Sequence, residues 1–298
     1  MSKVLFNIFY VFLWLITLLP LRALYCISDA IFVLLFWIIR YRRKVVQKNL
    51  LFSFPEKSEK ERGKIERRFY RHLCDYFFET IKLIHISDEE VFRRIHYHSD
   101  YLKVKAQEEK NVVALLGHCS NWEWLTSIAM HDDYHWAVPY MPLNSSKHFD
   151  EFMVKLRSKF TAEPVPMKSI YKRLIEINKS GELFVAGMIA DQSPPDVKNR
   201  HWVTFMNQDT AVMEGAERIA QKTNASVVYC KMIKVKRGYY DIEIIPICEN
   251  AQEVEDFYVT KKFFSLLEEH INEQPEYWLW THRRWKRSRP QNEKHIRK

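Results

Sequence analysis

The spacing of apolar and polar residues first predicts a long helix. Ser58 and Glu61 have the spacing of a capping box, which marks the start of a helix. Apolar side chains on one helical face follow them. These apolar positions are Ile65, Phe69, Leu73, Phe77, Ile81 and Ile84. We therefore expect one amphipathic helix that covers this part of the chain.

In the remainder of the chain, strand-like apolar runs alternate with stretches of helical spacing. The strand-like runs are 112–117, 136–140, 183–191, 226–235 and 239–247, and the helical stretches lie near 121–131, around 147–160, near 211–223 and at 260–273. The last two strand-like runs meet at Arg237-Gly238 and are expected to pair antiparallel. This alternation predicts an α/β fold with a mixed central sheet that is flanked by helices.

The chain begins with a long apolar stretch, Val4 to Leu19, whose only clearly polar side chains are Asn7 and Thr17. Extended to Leu21 it would form about 27 Å of helix, close to the roughly 30 Å hydrocarbon core of a bilayer. No small-residue cleavage site of a signal peptide follows it. We therefore expect an N-terminal membrane helix, with a buried core helix as the alternative.

A second apolar run, from Ala23 to Ile39, contains Ser28 and Asp29 and ends at the basic segment 40–44. An aspartate near the middle of a bilayer costs about 3 kcal/mol. We therefore expect an interfacial helix or one packed on the domain, with a second membrane span as the alternative. The basic segment indicates that the rest of the chain faces the cytoplasm. On this basis residues 1–44 form a membrane anchor and residues 45–298 a cytoplasm-facing domain.

Composition narrows the possible partners. The 298 residues include 46 Lys+Arg and 37 Asp+Glu, and the net charge of +9 favours anionic partners such as phospholipids, phosphorylated glycolipids or an acidic carrier protein. No nucleic-acid-binding motif accompanies this charge, so no nucleic acid partner is expected. The 6 glycines show neither Rossmann nor P-loop spacing, so no nucleotide cofactor is expected. The 5 scattered cysteines form no CxxC pair, which indicates a reducing compartment without a disulfide framework.

Candidate chemistry follows the strand-like run VVALLG. His118 comes directly after it, and Glu123 lies five residues later. On a continuous helix these two residues would point apart, so they can cooperate only if His118 lies on the turn before the helix. Glu123 would then orient the imidazole as a general base. The alternatives are a structural histidine satisfied by a nearby carboxylate, and Cys119 as an acylated nucleophile with His118 as its base.

Polar residues elsewhere are candidates for the same site. Asp191 and Gln192 follow another strand-like run, as His118 does. If the two strands run parallel, all three residues lie at the same carboxyl edge of the sheet, where α/β folds place their sites. The basic and aromatic C-terminal segment contains Arg283 and Arg284, whose guanidinium groups suit the binding of phosphates.

Five segments together resemble one family. GHCSNWEW is similar to the H-x4-D/E signature of the glycerolipid and lipid A acyltransferase superfamily, with His118 and Glu123 at the signature positions. The similarity covers roughly residues 1–290 and favours the lipid A branch of lauroyl- and myristoyl-transferase type. The other segments are RYRRKVVQKNLLFSFPE behind the N-terminal anchor, MIADQSP with Asp191 and Gln192, HWVTFMNQDTAVMEGAERIAQKTNA with Thr210 and Gly215, and PEYWLWTHRRWKRSRP with Arg283 and Arg284.

The resemblance implies a glycerolipid-acyltransferase-like fold with an N-terminal membrane helix. It also implies transfer of a fatty acyl chain from an acyl carrier protein, or from acyl-CoA, to a hydroxyl of an anionic lipid A precursor at the bacterial inner membrane. His118 would be the general base and Glu123 its orienting carboxylate, and no metal or cofactor is implied. Contacts with substrate are expected from Asn121, Arg157, Asp191, Gln192, Thr210, Arg283 and Arg284.

The chain departs from the family pattern at Met141. Members often have Tyr-Arg-Pro where this chain has Tyr140-Met141-Pro142. If that arginine binds a substrate phosphate, Arg157 or Lys155 is expected to replace it, or the acceptor differs. The alternatives to lipid A acylation are acyl transfer to another lipid, such as a lysophospholipid or an aminolipid, and a membrane-tethered lipid-binding protein without catalysis.

Overall fold

The computed structural model describes residues 3–98, 100–143, 146–195 and 201–289. The α-helices of these residues are Lys3–Ile16 (α1), Leu21–Val33 (α2), Arg43–Ser53 (α3), Glu59–Lys82 (α4), Asp88–Arg94 (α5), Asp100–Gln107 (α6), Lys147–Arg157 (α7), Ile170–Lys179 (α8), Gly215–Thr223 (α9) and Tyr258–Glu273 (α10). The strands are Ile95–His98 (β1), Val112–Leu116 (β2), His135–Tyr140 (β3), Glu163–Pro166 (β4), Phe184–Ile189 (β5), Trp202–Phe205 (β6), Gln208–Ala211 (β7), Ser226–Lys236 (β8) and Tyr239–Cys248 (β9). A π-helical segment, Leu34–Ile39, continues α2, and 3₁₀ segments cover Trp124–Met130, Ser158–Phe160 and Pro275–Tyr277.

Seven strands form a mixed central sheet in the order β1-β9-β8-β2-β5-β3-β4. β2 is parallel to both of its neighbours, β5 and β8, and β3 and β4 run in the same direction. β9 is antiparallel to β8, and β1 is parallel to β9. The α/β fold with a mixed sheet flanked by helices, and the antiparallel pair at its end, are therefore confirmed. β6 and β7 form a separate antiparallel hairpin.

Helices cover both faces of the sheet. All five residues of β2 are buried, and they alternate between two apolar clusters: Val113 and Leu115 belong to one, and Val112, Ala114 and Leu116 to the other. Strands buried on both faces are apolar throughout, which explains why the sequence of β2 shows a continuous run. The site therefore has to lie at an edge of the sheet.

The predicted amphipathic helix is α4, and its capping box is present. The Glu61 N–H donates to the Ser58 hydroxyl at 3.3 Å, and the Ser58 N–H donates to the Glu61 carboxylate at 2.8 Å. Two other helices differ from their predicted form. The stretch near 121–131 is a short 3₁₀ segment, and the helix expected near 211–223 begins only at Gly215 because Ala211 belongs to β7.

The first N-terminal apolar stretch forms a shorter helix than expected, and the second forms the longer helix. α1 ends at Ile16 and the chain turns before Pro20, so α1 is about 21 Å long and too short to cross a roughly 30 Å hydrocarbon core. The helix in this first stretch is therefore shorter than the spanning helix that was expected, and the membrane anchor over residues 1–44 stays a prediction. The helix Leu21–Ile39, with 19 residues, is long and apolar enough to cross a membrane by length and composition.

Polar side chains nevertheless attach this second helix to the rest of the fold. Asp29 of α2 accepts hydrogen bonds from the Arg237 guanidinium at 2.9 and 3.0 Å, and Ser28 donates to Asp75 of α4 at 2.7 Å. Arg237 also binds Asp75, at 2.6 Å. The carboxylate that is costly in a bilayer is thus used to pack α2 against α4, while Ile38 and other apolar side chains remain exposed.

Candidate active site

The register of two central strands brings the chemistry together. Leu116, the last residue of β2, lies opposite Ile189, the last residue of β5, and the strands are parallel. His118 and Asp191 each lie two residues beyond this pair, so both enter the same carboxyl edge of the sheet. The Ala190 N–H donates to the Leu116 carbonyl at 3.1 Å and holds the two chains together at that point.

The two side chains form a hydrogen-bonded dyad. Nδ1 of His118 lies 2.6 Å from Oδ1 of Asp191, and the backbone N–H of His118 donates to Oδ2 at 2.9 Å. Nε1 of Trp278 donates to the same Oδ2 at 2.7 Å. Because an ionised carboxylate only accepts, Nδ1 carries the proton and Nε2 is left with its lone pair. The exposed Gln192 amide nitrogen lies 3.0 Å from Nε2, consistent with this tautomer.

The surroundings keep Asp191 ionised. Burial by itself raises the pKa of this carboxyl, but the charge that His118 carries when protonated and the hydrogen bonds from His118 and Trp278 outweigh it and hold the pKa at about 2. A buried carboxylate with such partners can orient an imidazole and stabilise it when it becomes protonated. His282 is close enough to sense both charges, and burial lowers its pKa to about 4.

The direct contact expected between Glu123 and His118 is not found. The Glu123 carboxylate instead accepts two hydrogen bonds from Arg157 of α7, at 2.6 and 2.8 Å, and it is almost completely buried. A bidentate guanidinium satisfies the carboxylate more fully than an imidazole could, since it supplies two parallel N–H groups. Arg157 is thereby neutralised, which makes it a poor replacement for the arginine that the family often has at Met141.

A strained turn carries His118. Ser120 has φ of +54°, in the left-handed region, which costs a residue other than glycine roughly 1–2 kcal/mol. Backbone hydrogen bonds from the C-terminal segment compensate for this strain. The Ser120 N–H donates to the Tyr277 carbonyl at 2.8 Å, and the Leu279 N–H donates to the His118 carbonyl at 3.1 Å. Cys119 and Trp278 form an antiparallel bridge between these bonds.

Close packing explains the glycine before His118. A Cβ atom on Gly117 would lie 2.5 Å from Cδ1 of Leu267 and 3.5 Å from Oδ2 of Asp191. Any side chain at this position would therefore require Leu267 of α10 to shift.

Cys119 does not fit the role of nucleophile. Its thiol is buried, and burial together with the charge of Asp191 raises its pKa well above the usual range. The reactive form of cysteine is the thiolate, which this environment disfavours. The alternative of an acylated cysteine therefore has no support at this position.

Aromatic side chains form a wall beside the imidazole. The Trp122 ring lies 5.0 Å from the His118 ring at 73°, and it stacks on Tyr76 of α4 at 4.2 Å. These rings, with side chains of α4 and of the segment 277–279, line a narrow crevice of about 10 Å³, which is room for about one water molecule. The dyad thus has an apolar neighbour on this side.

The remaining predicted site residues lie in different surroundings. Asn121 is fully buried, donates to Glu79 of α4 at 2.8 Å and accepts from the Trp124 N–H at 3.2 Å, so both of its polar groups are already used. Thr210 is also buried and accepts from Nε1 of Trp285 at 2.8 Å. Neither side chain is open to solvent in this structure.

The two C-terminal arginines differ from each other. Arg283 is exposed, whereas Arg284 is buried and donates one hydrogen bond, to the Ala211 carbonyl at 2.8 Å. Burial lowers the pKa of Arg284 to about 10, although the charge of Asp191 acts in the opposite direction. Of these two arginines, Arg283 is therefore the one open to a substrate phosphate.

Sequence reasoning did not foresee the role of Trp278. Trp278 lies in the segment PEYWLWTHRRWKRSRP, and nothing local in the sequence indicates that its N–H reaches Asp191. The partnership of His118 with Asp191 could have been found by asking which carboxylate ends the neighbouring parallel strand. H-x4-E spacing directed attention to Glu123 instead.

A buried carboxylate, an imidazole with one unprotonated nitrogen and a polar sheet edge are the groups that a general base needs to activate a hydroxyl for group transfer. The model of the bacterial lipid A biosynthesis acyltransferase family matches residues 2–287 of the chain. The match covers more than half of the sequence, and the protein therefore belongs to this family and is an acyltransferase. In the comparison with curated proteins, nothing matches the chain.

Proposed function

We propose that the protein transfers a fatty acyl chain from a carrier-bound thioester to a hydroxyl of a lipid A precursor, with His118 as the general base. The His118–Asp191 dyad carries this proposal. In the resting structure Nε2 has its lone pair and faces only the amide of the exposed residue Gln192. A substrate hydroxyl that displaces this amide can donate its proton to Nε2.

The reaction then follows ordinary acyl-transfer chemistry. As Nε2 takes the proton, the hydroxyl oxygen attacks the thioester carbonyl and forms the new C–O bond. The C–S bond breaks when the tetrahedral intermediate collapses, and the leaving thiolate recovers the proton from the imidazolium. Asp191 holds Nδ1–H throughout and stabilises the charged imidazole. A positioned base of this kind contributes about 10²–10⁴ in rate.

Glu123 has a supporting role in this proposal. Its buried pair with Arg157 fixes the segment between His118 and the 3₁₀ helix that begins at Trp124. The pair also lies beside Tyr76 and Trp122, the aromatic wall against which an acyl group can pack. We therefore assign Glu123 and Arg157 to positioning rather than to proton transfer.

We further propose that residues 1–44 associate with the cytoplasmic face of the bacterial inner membrane. α1 and the helix Leu21–Ile39 expose many large apolar side chains, and the basic segment 40–44 follows them. Apolar insertion and attraction to anionic headgroups act in the same direction. The net charge of +9 favours an acidic acyl carrier protein as donor, and Arg283 is the exposed cation that we assign to a substrate phosphate.

Acyl transfer by the purified full-length protein tests the proposal. Radiolabelled acyl carrier protein or acyl-CoA is offered with a lipid A precursor, a lysophospholipid or an aminolipid as acceptor. We expect label in the lipid A precursor and a loss of about 10²–10⁴ in rate for His118→Ala, with membrane association retained. Near-normal turnover by His118→Ala refutes the general base, and label only in another acceptor refutes the assigned substrate.

A further inference from the structure

A buried histidine of α4 supports the turn that carries His118. His72 is 4% exposed, and its Nε2 lies 3.1 Å from the carbonyl oxygen of Ser120. Ser120 lies two residues beyond His118 in the left-handed conformation, and its N–H is held by Tyr277. With both of its peptide groups bonded, the turn is fixed from two sides, by α4 and by the C-terminal segment.

The partners of His72 determine which of its nitrogens is protonated. A carbonyl oxygen only accepts, so Nε2 carries the hydrogen. On the other side of the ring, Nζ of Lys234 lies 3.1 Å from Nδ1, and an ammonium group only donates, so Nδ1 is the acceptor. His72 is therefore a neutral imidazole wedged between an ammonium group and a peptide carbonyl. Burial and the charge of Lys234 lower its pKa well below the usual value, which agrees with this state.

Charged groups behind Lys234 fix its position in turn. Its Nζ lies 3.8 Å from the Asp75 carboxylate and stands over the rings of Tyr240 and Tyr277 at 5.9 and 5.3 Å. Asp75 is one turn along α4 from His72 and binds Arg237. If Lys234 moved away from the imidazole, it would therefore also lose its contact with the buried Asp75 carboxylate.

A second contact from the same helix acts on the next residue of the turn. Glu79 of α4 accepts from the Asn121 amide at 2.8 Å, and its own backbone carbonyl accepts from Nε1 of Trp124 at 2.8 Å. His72 and Glu79 thus hold neighbouring residues, Ser120 and Asn121, from two turns of one rigid helix. Nε2 of His72 contacts the Ser120 carbonyl and Nδ1 contacts Lys234, so neither nitrogen is available to a substrate.

We propose that His72 is a positioning residue for His118, and that it acts by holding the Ser120 carbonyl and with it the turn that follows β2. This inference rests on the proposed function of His118 as the general base. Loss of the contact lets the turn relax from its left-handed conformation, so that the imidazole leaves the geometry that Asp191 and the substrate hydroxyl require. A misplacement of about 1 Å can cost about 10² in rate.

The test compares two conservative variants with a matched control. In His72→Gln the amide nitrogen reaches the place of Nε2 and can still donate to Ser120, whereas the shorter side chain of His72→Asn cannot. His270 is the control because it is also buried and bonds to Tyr229, at 2.8 Å, rather than to a residue of the turn. We expect kcat to fall about tenfold or more in His72→Asn with KM unchanged, and to be largely rescued in His72→Gln and retained in His270→Asn.

Hydrogen exchange gives a readout that does not depend on the reaction. We expect amides in the segment 117–121 to exchange faster in His72→Asn than in the wild type or in His270→Asn. If the wild type transfers no acyl group, the proposed function fails, while exchange still decides the role of His72. Should His72→Asn not fold, Lys234→Gln takes its place, because it removes the group that orients the ring. Unchanged kcat and exchange in the folded variant, or equal losses in His270→Asn, overturn the inference.

Discussion

The tautomer of His118 depends on which of its two ring nitrogens faces a hydrogen-bond acceptor. In this protein Asp191 binds Nδ1 of His118 and leaves Nε2 open, and the carboxylate is itself fixed by three donors. Glu123, at the signature spacing, is instead bound to Arg157. Substitution of Asp191 should therefore lower kcat, whereas substitution of Glu123 should lower the free energy of unfolding.

Replacing Asp191 with asparagine should disable the base without emptying the site. An amide can present its own N–H to Nδ1, which favours the tautomer with the proton on Nε2, where it cannot accept a substrate proton. We expect kcat to fall by about 10²–10⁴ with little change in KM. Steady-state acyl-transfer kinetics check this prediction.

Glu123→Gln provides the comparison. It removes the negative charge that balances the partly buried Arg157, and breaking such a pair costs about 3 kcal/mol of stability. The expected signature is therefore a lower free energy of unfolding. A normal kcat in Asp191→Asn would show that the dyad does not orient the base.

Acid titration of Asp191 should destabilise the fold. The folded-state pKa of about 2 lies below the ordinary value of 3.8, so this carboxylate contributes stability above about pH 4 that is lost as the pH falls towards 2. The contribution is about 2 kcal/mol. Denaturant unfolding at about pH 5 and about pH 2 should show a larger loss for the wild type than for Asp191→Asn. Equal losses in the two proteins would contradict this assignment.

At the scale of elements, the site depends on how a C-terminal segment crosses the turn after β2. The segment 277–280 supplies backbone bonds to His118 and Ser120 and a side-chain bond to Asp191. These residues are more than 80 positions from Asp191 in the sequence, so only the folded chain joins them. The turn after β2 is therefore a shared product of two distant parts of the chain.

Trp278→Phe tests this arrangement because it keeps the ring and removes only the N–H. A hydrogen bond to a charged group is worth about 1.5–3 kcal/mol, so we expect kcat to fall about tenfold or more. Trp280→Phe is the matched control: its ring is fully buried too, and its N–H donates to the Pro275 carbonyl instead. Steady-state kinetics and thermal unfolding of both variants distinguish a loss of kcat from a loss of stability. Equal kcat values would exclude a role for the Trp278 N–H.

At the scale of the whole molecule, apolar surface is concentrated in the first 40 residues. α1 and the helix Leu21–Ile39 expose large apolar side chains on their outer faces, while their inner faces pack on α7 and α4. Single exposed apolar residues are common, but many exposed apolar side chains on two consecutive helices mark an interaction surface. With the basic segment that follows, we expect this surface to bind anionic membranes.

Ile38→Glu should weaken that binding without damaging the fold, since Ile38 is 70% exposed. Removing one inserted side chain costs about 2 kcal/mol, so binding to anionic vesicles should fall about tenfold or more. Val235→Glu is the control, because Val235 is 58% exposed but lies at the end of β8, outside the apolar helices. Vesicle sedimentation measures the difference. Unchanged binding by Ile38→Glu would place the membrane contact elsewhere.

Local sequence patterns determined much of the secondary structure of this protein and indicated its family. Runs of apolar residues predicted β2, β3, β5, β8 and β9, because burial on one face or on both leaves a period in the sequence. The shorter strands β1, β4, β6 and β7 were not predicted. The capping box located the start of α4, and the order of five segments indicated the family that the match confirms. Polar residues after two strands likewise pointed to one edge of the sheet.

The partners of those polar residues were decided only by the tertiary structure. Asp191 meets His118 because β2 and β5 happen to be neighbours in register, across 73 positions of the chain, and Arg157 takes Glu123 because α7 packs over it. Likewise, Asp29 belongs to the packed face of α2 only because Arg237 comes from the β8–β9 turn. Spacing along the chain records which residues share a face, whereas the pairing of charges depends on contacts between elements that are distant in the sequence.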